Sequence, residues 1–147
     1  MKFWGTSGGI LAFLSVALGA FAAHGLGDHF EKLYTETPAK MVAGHPVPAA
    51  QKYLADFKTG AEYQFYHALA LLFVSLLSHG RSSKLLNVAG CCFLLGTLFF
   101  SGSLYLLTML AIPVFGAITP IGGVLFLIGW AALAGSFLSN SKQKIGD

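Results

Sequence analysis

The sequence predicts an all-α, polytopic membrane protein: a four-helix bundle with a long polar connection between helices 1 and 2. Hydrophobic residues make up 55% of the chain and charged residues only 10%, where a soluble domain carries about a quarter charged. The apolar residues also fall in blocks of bilayer length and not in an amphipathic rhythm, which marks lipid as the solvent. At 147 residues the chain reads as a single transmembrane domain, residues 1–147. The net charge of +3 is small and the nine Lys and Arg are scattered, so nucleic acid is not an expected partner.

Helix 1 is expected over about residues 3–23, an uncharged run long enough to cross a hydrocarbon core of about 30 Å. The basic start, apolar centre and Ala20-Phe21-Ala22 also resemble a secretory signal with its cleavage site; the stretch is read here as a retained helix. Gly5, Gly8, Ala12, Ser15, Gly19 and Ala22 recur in steps of three and four. That spacing lays one narrow seam along the helix, where a neighbouring backbone approaches closely. The connection, residues 24–56, holds most of the charges together with Pro38, Pro46 and Pro48. Short helices are expected in it at Leu26–Leu33 and Ala49–Lys58.

Helix 2 is placed at about 57–78, and the turn His79 to Lys84 forces an antiparallel return. Helix 3, about 85–111, is stopped by Pro113, which lacks the amide donor an interior position needs. Helix 4, about 118–138, opens on Thr119 as a cap and Pro120 at its first position. Gly122, Gly129 and Ser136 form a second small-residue seam, and Ser139 to Asp147 read as a polar tail. Cys91 and Cys92 are adjacent and point about 100° apart in a helix, so they read as packing residues. Trp4 and Trp130 suit interfacial or packing roles, Trp4 at a membrane edge.

Four crossings put both termini on one side, with Lys2, Arg81, Lys84, Lys142 and Lys144; Lys32, Lys40, Lys52 and Lys58 lie on the other. The compact Arg81–Lys84 turn favours termini in the cytoplasm of a bacterial-type inner membrane. The same topology brings His24, Gln64, His67, Ser101, Ser103, Tyr105 and Thr119, one or more from each helix, toward one leaflet. At about 1.5 Å of rise per residue, His67 and Tyr105 reach similar depths. This polar cluster has two readings. One is a hydrogen-bond network that locks the helices, with His67 neutral. The other is a ligand, ion or proton site, since intramembrane ionisable groups often mark one. Glu62 and His67, five residues apart, diverge on a helix and do not form an acid–base pair. No His-x-x-x-His pair or Cys cluster points to a metal or haem, and no cofactor is expected. No nucleophile elbow or phosphate loop is present, so enzymatic activity is not expected.

Four blocks carry a resemblance: Gly19-Ala20-Phe21-Ala22-Ala23-His24-Gly25-Leu26; Tyr63-Gln64-Phe65-Tyr66-His67-Ala68-Leu69-Ala70; Phe100-Ser101-Gly102-Ser103-Leu104-Tyr105-Leu106; and Ile118-Thr119-Pro120-Ile121-Gly122-Gly123 with Gly129-Trp130. As a set they resemble the small membrane family known as domain of unknown function four-two-three. The resemblance implies a four-helix integral membrane protein and no particular activity. The chain departs from that pattern by extra residues around Thr35 to Ala50, and by Glu62 where a basic residue is usual. The leading functional expectation is a non-enzymatic accessory or scaffold component of a larger assembly, its partners the lipid bilayer and other membrane chains. The alternative is a small carrier or ligand-binding protein whose site uses His24, Gln64, His67, Ser101 and Tyr105.

Overall fold

The protein is described here by a computed structural model covering residues 2–79 and 83–143, with no side chains considered beyond Leu138. Among these residues helix predominates. α1 spans Lys2–His24 and α2 Leu26–Leu33, both close to expectation. Two short strands follow, β1 (Lys40–Val42) and β2 (His45–Val47), paired antiparallel. Ala43 and Gly44 join them with φ of 49° and 83°, the double positive φ that suits the right-handed twist of a two-residue hairpin. α3 runs unbroken over Ala49–Leu77. The helices expected at 49–58 and 57–78 are therefore one, because no Gly or Pro interrupts the chain between Pro48 and Gly60. The segment linking α1 to α3 correspondingly ends at Pro48 and not at Asp56.

α4 spans Lys84–Leu110 and begins with the Ser83 hydroxyl accepting the Leu86 amide at 3.4 Å. It ends on Ala111 in the left-handed region (φ 55°, ψ 32°), just ahead of Pro113, which cannot continue it. A 3₁₀ turn at Pro113–Ala117 leads into α5, Thr119–Gln143. α5 thus continues into the stretch expected as a tail. Gly80 to Ser82 of the expected turn, and Lys144, lie outside the described residues.

The stretches Lys2–His24, Lys84–Leu110 and Pro113–Leu138 are long and apolar enough to cross a membrane. α3 is not among them by composition; Lys58, Glu62, Gln64 and His67 dilute its apolar run. α3 packs along both α1 and α4, and α4 packs along α5. Close approaches between Gly5 and Ser75, and between Gly8 and Ala68, make α3 antiparallel to α1.

Two apolar clusters sit at opposite ends. Toward the termini, Trp4, Leu71, Val74, Leu86, Phe93 and Leu133 pack together. Trp4 is buried over Gly90 in a packing role: a Cβ on Gly90 would fall 2.7 Å from the indole. At the other end α2 folds back so that Leu26, Phe30 and Tyr34 cover Ala22, Ala49 and Phe57. The Tyr34 hydroxyl donates to the Thr108 carbonyl at 2.7 Å, which fastens α2 to the end of α4. Burial first, then the neighbouring Tyr53 and Asp56, push the Tyr34 phenol up to about 12.

Candidate functional site

The helix contacts that position the polar residues are made through small side chains. Along α1, a Cβ on Gly8 would lie 2.8 Å from the Ala68 carbonyl oxygen, and one on Gly5 would lie 2.9 Å from the Ser75 hydroxyl. Ala12 is half-buried between them and the buried Ser15 hydroxyl donates to the Ala61 carbonyl at 2.7 Å. At Gly19 the seam opens, since nothing lies within 4 Å of its Cβ position. Between α4 and α5, Gly122 faces the Phe100 amide and the Gly96 carbonyl, and Gly129 faces Phe93 at 2.7 Å. Gly96 belongs to the same contact, while Gly60 faces Tyr105 across α3 and α4 and Gly90 faces Trp4 of α1. Sequence reasoning passed over them because they recur at no fixed interval.

Within this frame the polar residues form separate linkages. Gln64 bridges three helices: its amide nitrogen donates to the Leu11 carbonyl at 2.9 Å, and its oxygen accepts the Tyr105 hydroxyl at 3.0 Å. Ser103 and Thr119 share a hydroxyl–hydroxyl bond of 2.8 Å that joins α4 to α5. The Thr119 oxygen is thereby engaged sideways, not spent capping α5. His67 looks toward α5, where its ring stacks on Phe126 with centroids 3.4 Å apart and planes 4° from parallel.

The imidazole partners define its proton arrangement. Nδ1 lies 2.7 Å from the Tyr63 carbonyl, which only accepts, so Nδ1 carries the hydrogen. Nε2 lies 3.2 Å from the Trp130 indole nitrogen, which only donates, so Nε2 supplies the lone pair. His67 is thus assigned as the neutral Nδ1–H tautomer with both nitrogens occupied. A proton on Nε2 would face the indole N–H, and a metal there would have to displace it. Trp130 was missed as this partner, and it is 47% exposed although its indole nitrogen is engaged.

The structure therefore divides the expected cluster. His24 is exposed at the end of α1 and makes no side-chain hydrogen bond to the other groups among the described residues. Tyr105 sits over Gly60, whereas His67 lies against Phe93 and Phe126. The two therefore pack at different levels of the α3–α4 contact, Tyr105 beside Gly60 and Gln64, and His67 beside Phe93. Ser101 is fully buried, and its hydroxyl has no hydrogen-bond partner among the described residues. Among those residues, no three His, Cys, Asp or Glu side chains converge as metal ligands. Two open grooves flank α3. One, of about 630 Å³, runs toward α5 and is lined by Tyr63, Tyr66, His67, Phe100, Phe126 and Trp130. The other, of about 420 Å³, lies between α1 and α3 beside Lys58 and Glu62.

Bilayer-length apolar helices, joined by close glycine contacts and by polar side chains that satisfy one another, define an all-α membrane protein. The chain belongs to the family described as Protein of unknown function (DUF423), whose profile matches residues 18–123. A UPF0382 membrane protein of Staphylococcus epidermidis is 40% identical over 133 residues, covering 90% of this chain and 93% of the relative. Another, from Haemophilus influenzae, is 45% identical over 130 residues, covering 88% and 89%. A third, UPF0382 membrane protein YwdK of Bacillus subtilis, is 40% identical over 131 residues, covering 88% and 91%. No solved structure matches.

Proposed function

We propose that the protein is a non-enzymatic, four-crossing component of the bacterial inner membrane, with its termini in the cytoplasm, that works as an accessory or scaffold for other membrane chains. In this reading α3 is the fourth crossing. Its polar groups are tolerated because α1, α4 and α5 answer them, and the hairpin and α2 form the far-side face.

One observation carries the proposal: most of the polar side chains buried between the helices, Ser101 excepted, are consumed within the chain. Gln64, His67, Ser103, Tyr105 and Thr119 each have their partner within the chain. A carrier needs some of these groups available to a substrate, so that alternative is disfavoured. What the molecule offers outward is apolar surface from every long helix, including Phe13, Leu76, Leu98 and Leu127, where helices of a partner can pack.

The test is site-specific photocrosslinking in living cells, with the probe placed in turn at Phe13, Leu76, Leu98 and Leu127. An accessory chain gives a discrete protein adduct from one face, absent from the others. Adducts to lipid alone at all four positions would remove the scaffold role.

A further inference from the structure

Of the four charges on α3, Lys52 and Asp56 pair with each other, and Lys58 and Glu62 pair with nothing among the described residues. Both are exposed and line the α1–α3 groove. The bond from Ser15 to Ala61 sets their depth. Ser15 lies nine residues before His24 at the end of α1, so Glu62 stands about 13 Å inside that end and Lys58 about 6 Å nearer to it. If α1 and α3 both cross the membrane, as proposed above, the carboxylate lies in hydrocarbon and needs a cation. Lys58 of the same helix is poorly placed to be that cation. Side chains lean toward the N-terminus of their helix, so the lysine points away from Glu62. Lys four residues ahead of Glu is also the weaker order for such a pair.

A second copy of the chain supplies what one copy lacks. Copies inserted alike are related by a two-fold axis along the bilayer normal, which keeps each residue at its own depth. Lys58 of one copy then stands one helical turn on the water side of Glu62 of the other. The carboxylate leans toward that end of α3, and the four-carbon lysine stem spans the remainder. The symmetry repeats the contact, so all four charges are answered at once. A partner bringing a single basic residue would leave Lys58 unmatched.

The shape of this surface is self-complementary as well. Ala55, Lys58, Glu62, Tyr66, Leu69 and Phe73 are exposed in steps of three and four, a ridge along one line of α3. The α1–α3 groove of about 420 Å³ runs beside it, walled on the α1 side by Val16, Gly19 and Ala23. Nothing lies within 4 Å of the Gly19 Cβ position, which leaves room for a second α3 to come close. A ridge beside a groove packs against its own copy, ridge into groove. We propose that two copies of the chain pair in the membrane through α3. Each ridge lies in the other's α1–α3 groove, and Lys58 of each copy is ion-paired with Glu62 of the other. The need for these pairs rests on the four-crossing reading.

Co-purification of two differently tagged copies in mild detergent tests it, and the parent chain should capture itself. Lys58→Glu leaves only acidic side chains at the two positions and Glu62→Lys only basic ones. Each variant should therefore lose self-capture by about tenfold or more, while the two should capture one another as the parent does. That rescue also shows that both variants fold. Disulfide trapping in native membranes, in a Cys91→Ala, Cys92→Ala background, is the second measurement. Ala55→Cys and Tyr66→Cys, which flank the charges on the ridge, should cross-link into dimers, and Leu98→Cys on α4 should not. A parent chain that fails to capture itself, unlike variants that pair no better than like ones, or no trapping at positions 55 and 66 overturns the pairing. A different, basic protein held at Glu62 in place of a second copy overturns it as well. Labelling Glu62→Cys with an impermeant maleimide in the same background separates the two readings. Rapid labelling in vesicles puts position 62 in water and removes the crossing along with the membrane-buried pairs. Protection without dimer trapping removes the pairing alone.

Discussion

Neighbouring glycines at the start of α5 should respond to the same substitution with opposite signs. At Gly122 an added Cβ would sit 2.7 Å from the Phe100 Cβ and 2.8 Å from the Gly96 carbonyl oxygen, and closer still to the Phe100 amide. Backbone hems it in on α4, so neither side yields by rotating a side chain; the helices must part. Overpacking of this kind costs roughly 1–3 kcal/mol, and contact with backbone places Gly122→Ala near the upper end. At Gly123 nothing lies within 4 Å, so Gly123→Ala meets no obstacle and gains up to about 1 kcal/mol of helix propensity. For a chain of this size the first change should lower the melting temperature by roughly 5–10 °C and the second should raise it by about 2–4 °C. Thermal unfolding in one detergent, followed by circular dichroism with both variants side by side, measures the pair. Equal melting temperatures, or a Gly123→Ala protein less stable than Gly122→Ala, would refute the close α4–α5 contact.

Trp130→Phe keeps the aromatic bulk but removes the donor to His67 Nε2, leaving a buried acceptor unmet at a cost of about 1–3 kcal/mol. Adding His67→Phe should recover part of that loss, which a double-mutant unfolding cycle reads directly. Ser101→Ala deletes a fully buried hydroxyl with no partner and should be neutral or stabilise by up to about 1 kcal/mol; a clear loss of stability would mean that the hydroxyl is used. Tyr34 begins at the ordinary phenol value of 10.0 when unfolded and is held at about 12 when folded. The folded state therefore favours the protonated phenol. Its contribution is complete below pH 10 and is lost as pH rises toward 12. Proteolysis near α2 should accelerate over that window in the parent protein, and Tyr34→Phe should flatten the dependence.

Composition and block length were enough to predict three of the long helices within a residue or two at most ends, because lipid selects sequences by the same criterion. The start of α3 at Ala49 was legible, but its charged first turns read as a separate surface helix, so its continuity with the stretch placed at 57–78 was missed. The hairpin was invisible because its turn is Ala43-Gly44 and lacks the Asn-Gly or Asp-Gly signature. Gln64 and Tyr105 could be grouped from topology alone, being level on antiparallel helices. The partner of His67 could not: Trp130 lies 63 residues away, and pairing them requires knowing which face of α3 meets α5. Gln64 and His67, three residues apart, both face inward, yet one serves α1 and α4 and the other α5.

This division of α3 explains why a helix with so much polarity is compatible with the bilayer, and it also narrows where function resides. Polar groups inside a membrane are stable only when paired, so an unspent one signals something supplied from outside. The buried neutral side chains of α3 are spent: Gln64 on Leu11 and Tyr105, His67 on Tyr63 and Trp130. The charges on its first half, Lys58 and Glu62, are exposed beside an open slot. Recognition should therefore occur at the perimeter of the molecule, where lipid or a neighbouring helix lies, and not along a path through its centre. Changes to the interior pairs should then act through stability, measured as shifts in melting temperature.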